Sequence, residues 1–70
     1  MDVAEAVLAV LGEAGEPLHW TVIQDRALRA GYLDPFETPD VRRAVLAALR
    51  EAVADGRLTK PATGMYALAA

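Results

Sequence analysis

Apolar residues recur at helical spacing in three separate stretches of the chain, and each stretch carries its own start and stop signals. In the first, Val3, Val7, Leu8 and Leu11, with Ala4, make one apolar face. Asp2 can accept from the amide of Glu5 while Glu5 reaches back, a capping-box arrangement, and Gly12, Gly15 and Pro17 crowd the far end. The second stretch is narrower: Ile23, Ala27 and Leu28 give a core edge, and Gln24, Asp25, Arg26 and Arg29 are left for solvent. Thr21 and Gln24 read as a second capping box at its start, and Ala30-Gly31 ends it. The third starts at Thr38-Pro39, with Thr38 as N-cap, Pro39 at the first helical position and Asp40 near the positive end of the dipole. Val41, Val45, Leu46, Leu49, Ala52 and Val53 then share one side as far as Ala54, with Gly56 past the end.

Between these helices the pattern breaks. Leu18-His19-Trp20 lies between Pro17 and a cap, which predicts a short extended segment that pairs with a later hairpin. Tyr32 to Glu37 is a loop, because Pro35 lacks a donor and biases Asp34 away from helix; Tyr32, Leu33 and Phe36 are expected to fold back on the core. After Gly56 the period falls to two. Arg57 to Lys60 and Met65 to Leu68 predict two strands around a Pro61-Ala62-Thr63-Gly64 turn, with Leu58, Met65 or Tyr66, and Leu68 facing inward. The expectation is one domain over residues 1–70, mainly α with a small β-sheet. A long helix followed at once by a hairpin is the C-terminal half of a winged helix-turn-helix.

Composition narrows the ways such a domain holds together. Hydrophobic residues are 54% of the chain and aromatics only 6%, so the core must be built from Leu, Val and Ala methyls with a few rings as anchors. Without cysteine, neither a disulfide nor a thiolate metal site can staple it. Acidic residues stand near Met1 where a secretory signal carries cations, and no apolar run approaches the roughly 20 residues of a membrane span. A cytoplasmic or nucleoid-associated protein without a membrane partner is expected.

The net charge of −3 argues against the strongly basic footprint of many nucleic-acid binders, but the charges are unevenly spread. Before Val41, Asp2, Glu5, Glu13, Glu16, Asp25, Asp34, Glu37 and Asp40 face only Arg26 and Arg29. From Arg42 onward, Arg42, Arg43, Arg50, Arg57 and Lys60 face only Glu51 and Asp55. On the third helix Arg43, Ala47, Arg50 and Ala54 form a stripe of cations and small residues opposite the apolar side, which lets a flat surface approach. Arg42, Arg43 and Arg50 are therefore the leading candidates for nucleic-acid contact, with Arg57 and Lys60 beside the hairpin turn as secondary ones. Each set also has a plainer reading, as a solvated helix face and as an ordinary structural hairpin.

Chemistry other than binding has little support. His19 is the only histidine and would need Glu16 or Asp25 to complete a metal site; a half-buried residue bonded near the second helix cap is the simpler reading. Trp20 and Tyr66 are claimed first by the core. There is no serine or cysteine nucleophile, no partner to orient His19 and no Gly-rich loop after a strand, so no catalytic residue, cofactor, metal or small-molecule substrate is expected.

Taken in order, Pro17-Leu18-His19, Thr21 before the Ile23-bearing helix, Thr38-Pro39, the Leu46 and Leu49 pair and the Gly64-Met65-Tyr66-Ala67-Leu68 ending give a chain that resembles, from Ala6 to Leu68, the HARE-type winged helix-turn-helix. That family occurs in additional-sex-combs-like chromatin proteins, some restriction endonucleases and the N-terminal domain of the delta subunit of bacterial RNA polymerase. The resemblance implies a DNA-binding or transcription-associated module rather than a chemistry. Its partner would be double-stranded DNA, or a transcription- or chromatin-associated protein in an adaptor role. A homodimer burying part of the Ala47 and Ala54 stripe is a third arrangement.

Overall fold

A computed structural model describes residues 1–70 as three helices and a three-stranded antiparallel sheet. Helix α1 spans Val3–Ala14 and begins with the expected capping box: the Asp2 carboxylate accepts from the Glu5 amide at 2.8 Å, and the Asp2 amide donates to Glu5 at 3.1 Å. It ends at Gly15, whose φ of 67° lets its N–H return to the Leu11 carbonyl. Its buried residues are Ala6, Val7, Val10 and Leu11, while Val3 and Leu8 are half-buried. The face is thus rotated from the expected one, because α1 packs on both other helices and needs a broader apolar front than a single stripe.

Strand β1 is only Leu18–His19, and Trp20 already opens helix α2, which spans Trp20–Arg29. The capping box expected at Thr21 and Gln24 does not form. Instead His19 is the N-cap, with its Nδ1 accepting from the Thr21 amide at 3.3 Å and lying 2.8 Å from the Thr21 hydroxyl. The cause is a competing bond: the Trp20 amide donates to the Gly64 carbonyl at 2.9 Å, so His19 is the last extended residue and Thr21 falls within the first turn. Gln24 returns no capping bond, and its Oε1 is buried without a protein partner. Ile23 and Ala27 supply the buried edge of α2, and Asp25 pairs with Arg29 one turn on at 3.1 Å.

In the loop that follows, Leu33 is buried as expected, and the amides of Tyr32 and Leu33 both reach the Ala27 carbonyl. The Tyr32 hydroxyl donates to the Glu13 carboxylate and ties the loop to α1. That hydrogen bond, with lesser contributions from burial and from the Glu13 charge, raises the Tyr32 hydroxyl above the ordinary tyrosine range. Phe36 does not fold back: it is 94% exposed. Asp34 organises a turn in which its carboxylate accepts from the Phe36 amide and its carbonyl from the amides of Glu37 and Thr38, while Leu33 has already filled the place in the core.

The same turn moves the start of the third helix. Thr38 spends its amide on Asp34, and α3 begins at Val41 and runs to Ala54, with Asp40 rather than Thr38 as N-cap and Pro39 still outside. Val45, Leu49 and Ala52 are buried, and Val41, Ala48 and Val53 are half-buried against the core. Leu46, expected among them, stands on the flank of the helix instead.

Strand β2 is Leu58–Ala62 and β3 is Met65–Leu68, so the turn is two residues, Thr63-Gly64, rather than four. Pro61 is accommodated within β2 because that strand is at the sheet edge, in the order β1-β3-β2, and its register is irregular between Thr59 and Ala62. Leu58 and Tyr66 enter the core. Leu68 was expected there too but is 46% exposed, at a rim near Gly12 of α1. The thirteen buried residues are Ala, Val, Leu and Ile with Tyr66, and none is charged. No helix is long and apolar enough to cross a membrane.

Candidate functional site

Helix α3 puts its apolar residues against α1, α2 and β2, which leaves its opposite side to solvent. Arg43, Ala47, Arg50 and Ala54 are exposed there, and Arg42 is exposed on the flank, toward Trp20 of α2. Arg43 and Arg50 are seven residues apart, two turns of helix, so they project from nearly the same face at about 10 Å separation along the axis. Ala47 between them adds almost no height. Neither arginine pairs with a carboxylate, since the two ion pairs of the molecule are Asp25 with Arg29 and Asp55 with Arg57.

Arg42, Arg43 and Arg50 surround a shallow depression of about 260 Å³ that Asp40 and Leu46 complete. Asp40 has two effects here. Its carboxylate caps α3 by accepting from the Arg43 amide at 3.1 Å, and it places a negative charge among the three guanidinium groups. Leu46 provides the apolar part of the surface. Residues 42, 46 and 50 succeed each other at one helical turn, so the position of Leu46 among arginines was readable from spacing, although its side chain type drew it toward the core set.

Arg42 is not a free cation. Its guanidinium carbon lies 5.5 Å from the centroid of Trp20, an arrangement worth about 0.5–1 kcal/mol at an exposed site. Trp20 is half-buried at the start of α2 and bonded through its amide to Gly64, so the hairpin turn, the start of α2 and the first turn of α3 form one connected corner. His19 belongs to it as well, with its ring 5.8 Å from that of Trp20 and its edge against Gly64.

The two secondary cations stand apart from this depression. Arg57 lies just beyond α3 and pairs with Asp55 at 3.0 Å, which offsets its charge locally. Lys60 is on β2, with its Nζ 5.9 Å from the centre of the Tyr66 ring. Three of the five cations therefore share one surface and two do not. Sequence reasoning missed Phe36, which sits fully exposed four residues before the Asp40 cap. The signal was the Asp34-Pro35-Phe36 order, since an Asp two residues before an aromatic can hold its amide in a turn. No group of three or more His, Cys, Asp or Glu side chains is arranged to hold a metal ion. No protein family, curated protein or solved structure matches the chain.

Proposed function

We propose that the chain is a winged helix-turn-helix module, of the HARE type it resembles, that binds double-stranded DNA in a transcription-associated role with α3 as the recognition helix. The observation that carries this reading is the pair Arg43 and Arg50, unpaired and exposed on one face of α3 with Ala47 between them. The element order and the sheet order β1-β3-β2, with the hairpin directly after α3, support the same reading. Arg43 and Arg50 would contact phosphates or guanine edges, Arg42 would be positioned by Trp20, and Arg57 and Lys60 would add charge from the hairpin side. The role is binding without catalysis.

The test is titration of duplex DNA at about 50 mM and roughly 200 mM salt with the wild-type chain and with Arg43→Ala/Arg50→Ala. Two or three phosphate contacts give a log–log salt slope of about −2 to −3, and the double substitution should reduce it by about 2. An undetectable complex at the lower salt, or an unchanged slope in the variant, rejects the proposal.

A second reading, an adaptor that docks on a transcription- or chromatin-associated protein, is favoured by the interruptions of the basic surface. Asp40 lies among the arginines and Asp55 occupies Arg57. On this reading the same arginines meet carboxylates of a partner. Binding to purified RNA polymerase or a chromatin complex that Arg43→Ala/Arg50→Ala abolishes, with no affinity for duplex DNA, would select it.

A further inference from the structure

Phe36 is the largest hydrophobic side chain left in solvent, and its backbone is fixed. The Asp34 carboxylate accepts from its amide at 2.8 Å, and the Asp34 carbonyl accepts from Glu37 and Thr38, each at 3.0 Å. Pro35 and Pro39 restrict the loop further. A ring presented on a preset backbone loses little conformational freedom when it docks, which is the condition under which an exposed aromatic becomes a binding anchor. Its neighbours Asp34 and Glu37 are both acidic, and neither is in an ion pair.

The molecule also carries a receptor with the opposite chemistry. The depression at Leu46 is an apolar spot rimmed by Arg42, Arg43 and Arg50. Asp40 also lines it, so the balance there is three cations to one carboxylate, whereas the other surface notch, between α1 and β3, carries Glu16 and no cation and would repel the Asp34 and Glu37 carboxylates. Phe36 precedes the edge of the depression at Asp40 by four residues, at most about 14 Å of chain, and the depression extends from there along α3 to Leu46 and Arg50. A ring flanked by acids and a receptor flanked by arginines on one chain can be satisfied twice by a two-fold axis, each copy offering its ring and receiving the other's.

We infer that this chain self-associates as a symmetric dimer in which Phe36 of each copy seats against Leu46 of the other, with Asp34 and Glu37 facing Arg43 and Arg50. The contact is small, so the dimer is weak, with a dissociation constant in the range of about 10 μM to 1 mM. It covers the arginines assigned above to nucleic acid, so dimer and duplex compete. The inference does not depend on that assignment, because it is read with no nucleic acid present.

Sedimentation equilibrium over about 10 μM to 2 mM protein should show a monomer–dimer equilibrium that weakens as salt rises. Phe36→Ala should weaken it by about 30-fold or more, with the circular dichroism spectrum unchanged because the ring is exposed. Arg43→Glu/Arg50→Glu should do the same, and Arg43→Gln/Arg50→Gln serves if the reversed charges disturb folding. Mixing the Phe36→Ala chain with the arginine variant should give a mixed dimer weaker than wild type, since one of the two ring–depression contacts remains and the other loses both partners. A wild-type chain that stays monomeric throughout overturns the inference. So does a dimer indifferent to Phe36→Ala, or one indifferent to the loss of Arg43 and Arg50.

Discussion

Gly64 meets two separate demands, and they set the cost of replacing it. Its φ of 75° lies in the left-handed region, which the two-residue turn requires, and a Cβ there would come 2.7 Å from Nε2 of His19. Gly64→Ala should therefore lose roughly 1–3 kcal/mol of stability, measured by urea unfolding. Gly31, with a φ of 77° and open space where a Cβ would point, should lose less on the same substitution, which separates the steric part from the backbone part. An equal loss at both positions would mean that His19 simply moves aside. A turn closing on Gly64 was legible in Pro61-Ala62-Thr63-Gly64, though its length was not; nor was the pressure from His19, because it arises from a strand 45 residues away in the chain.

At the scale of the elements, the existence of the three helices was readable in the sequence. The buried face of α1 lies rotated, however, Leu46 leaves the core side of α3, and two helix starts, those of α2 and α3, move. Both have the same origin. The Trp20 amide is taken by Gly64 and the Thr38 amide by Asp34, so a residue that looks like a good cap in sequence is already committed elsewhere or sits one position too far in. Local capping signals describe an isolated helix, whereas the bonds to Gly64 and Asp34 fix the backbone at Trp20 and Thr38 in a sheet corner and a loop turn, so the capping acceptors become His19 and Asp40. The assignment of the α3 cap has a direct consequence. Asp40→Ala removes the acceptor of the Arg43 amide and should cost about 1 kcal/mol, whereas Thr38→Ala should cost only a few tenths, both measured by thermal or urea unfolding. The opposite ranking would return the start of α3 to Thr38-Pro39.

For the molecule as a whole, the decisive quantity is how its −3 net charge is arranged around the three arginines of α3. The shared face of Arg43 and Arg50 followed from helical spacing, but the place of Arg42 beside them and the separation of Arg57 and Lys60 did not, because these depend on where Trp20, Asp55 and Tyr66 lie after folding. Asp40 is the one carboxylate on the rim of the depression, and its capping and electrostatic effects can be separated chemically. Asn is as good an N-cap as Asp, so Asp40→Asn keeps the bond to the Arg43 amide while removing the charge. If duplex DNA is the partner, a phosphate about 7 Å from that carboxylate is opposed by about 0.6 kcal/mol in water, so Asp40→Asn should tighten binding roughly threefold at about 50 mM salt. The gain should shrink at roughly 200 mM salt as screening shortens the reach of the charge. If α3 instead receives the carboxylates of a protein, the same substitution strengthens that complex and leaves DNA affinity absent. Stability stays near wild type in either case, so weaker binding by a stable Asp40→Asn chain would remove the depression from both readings.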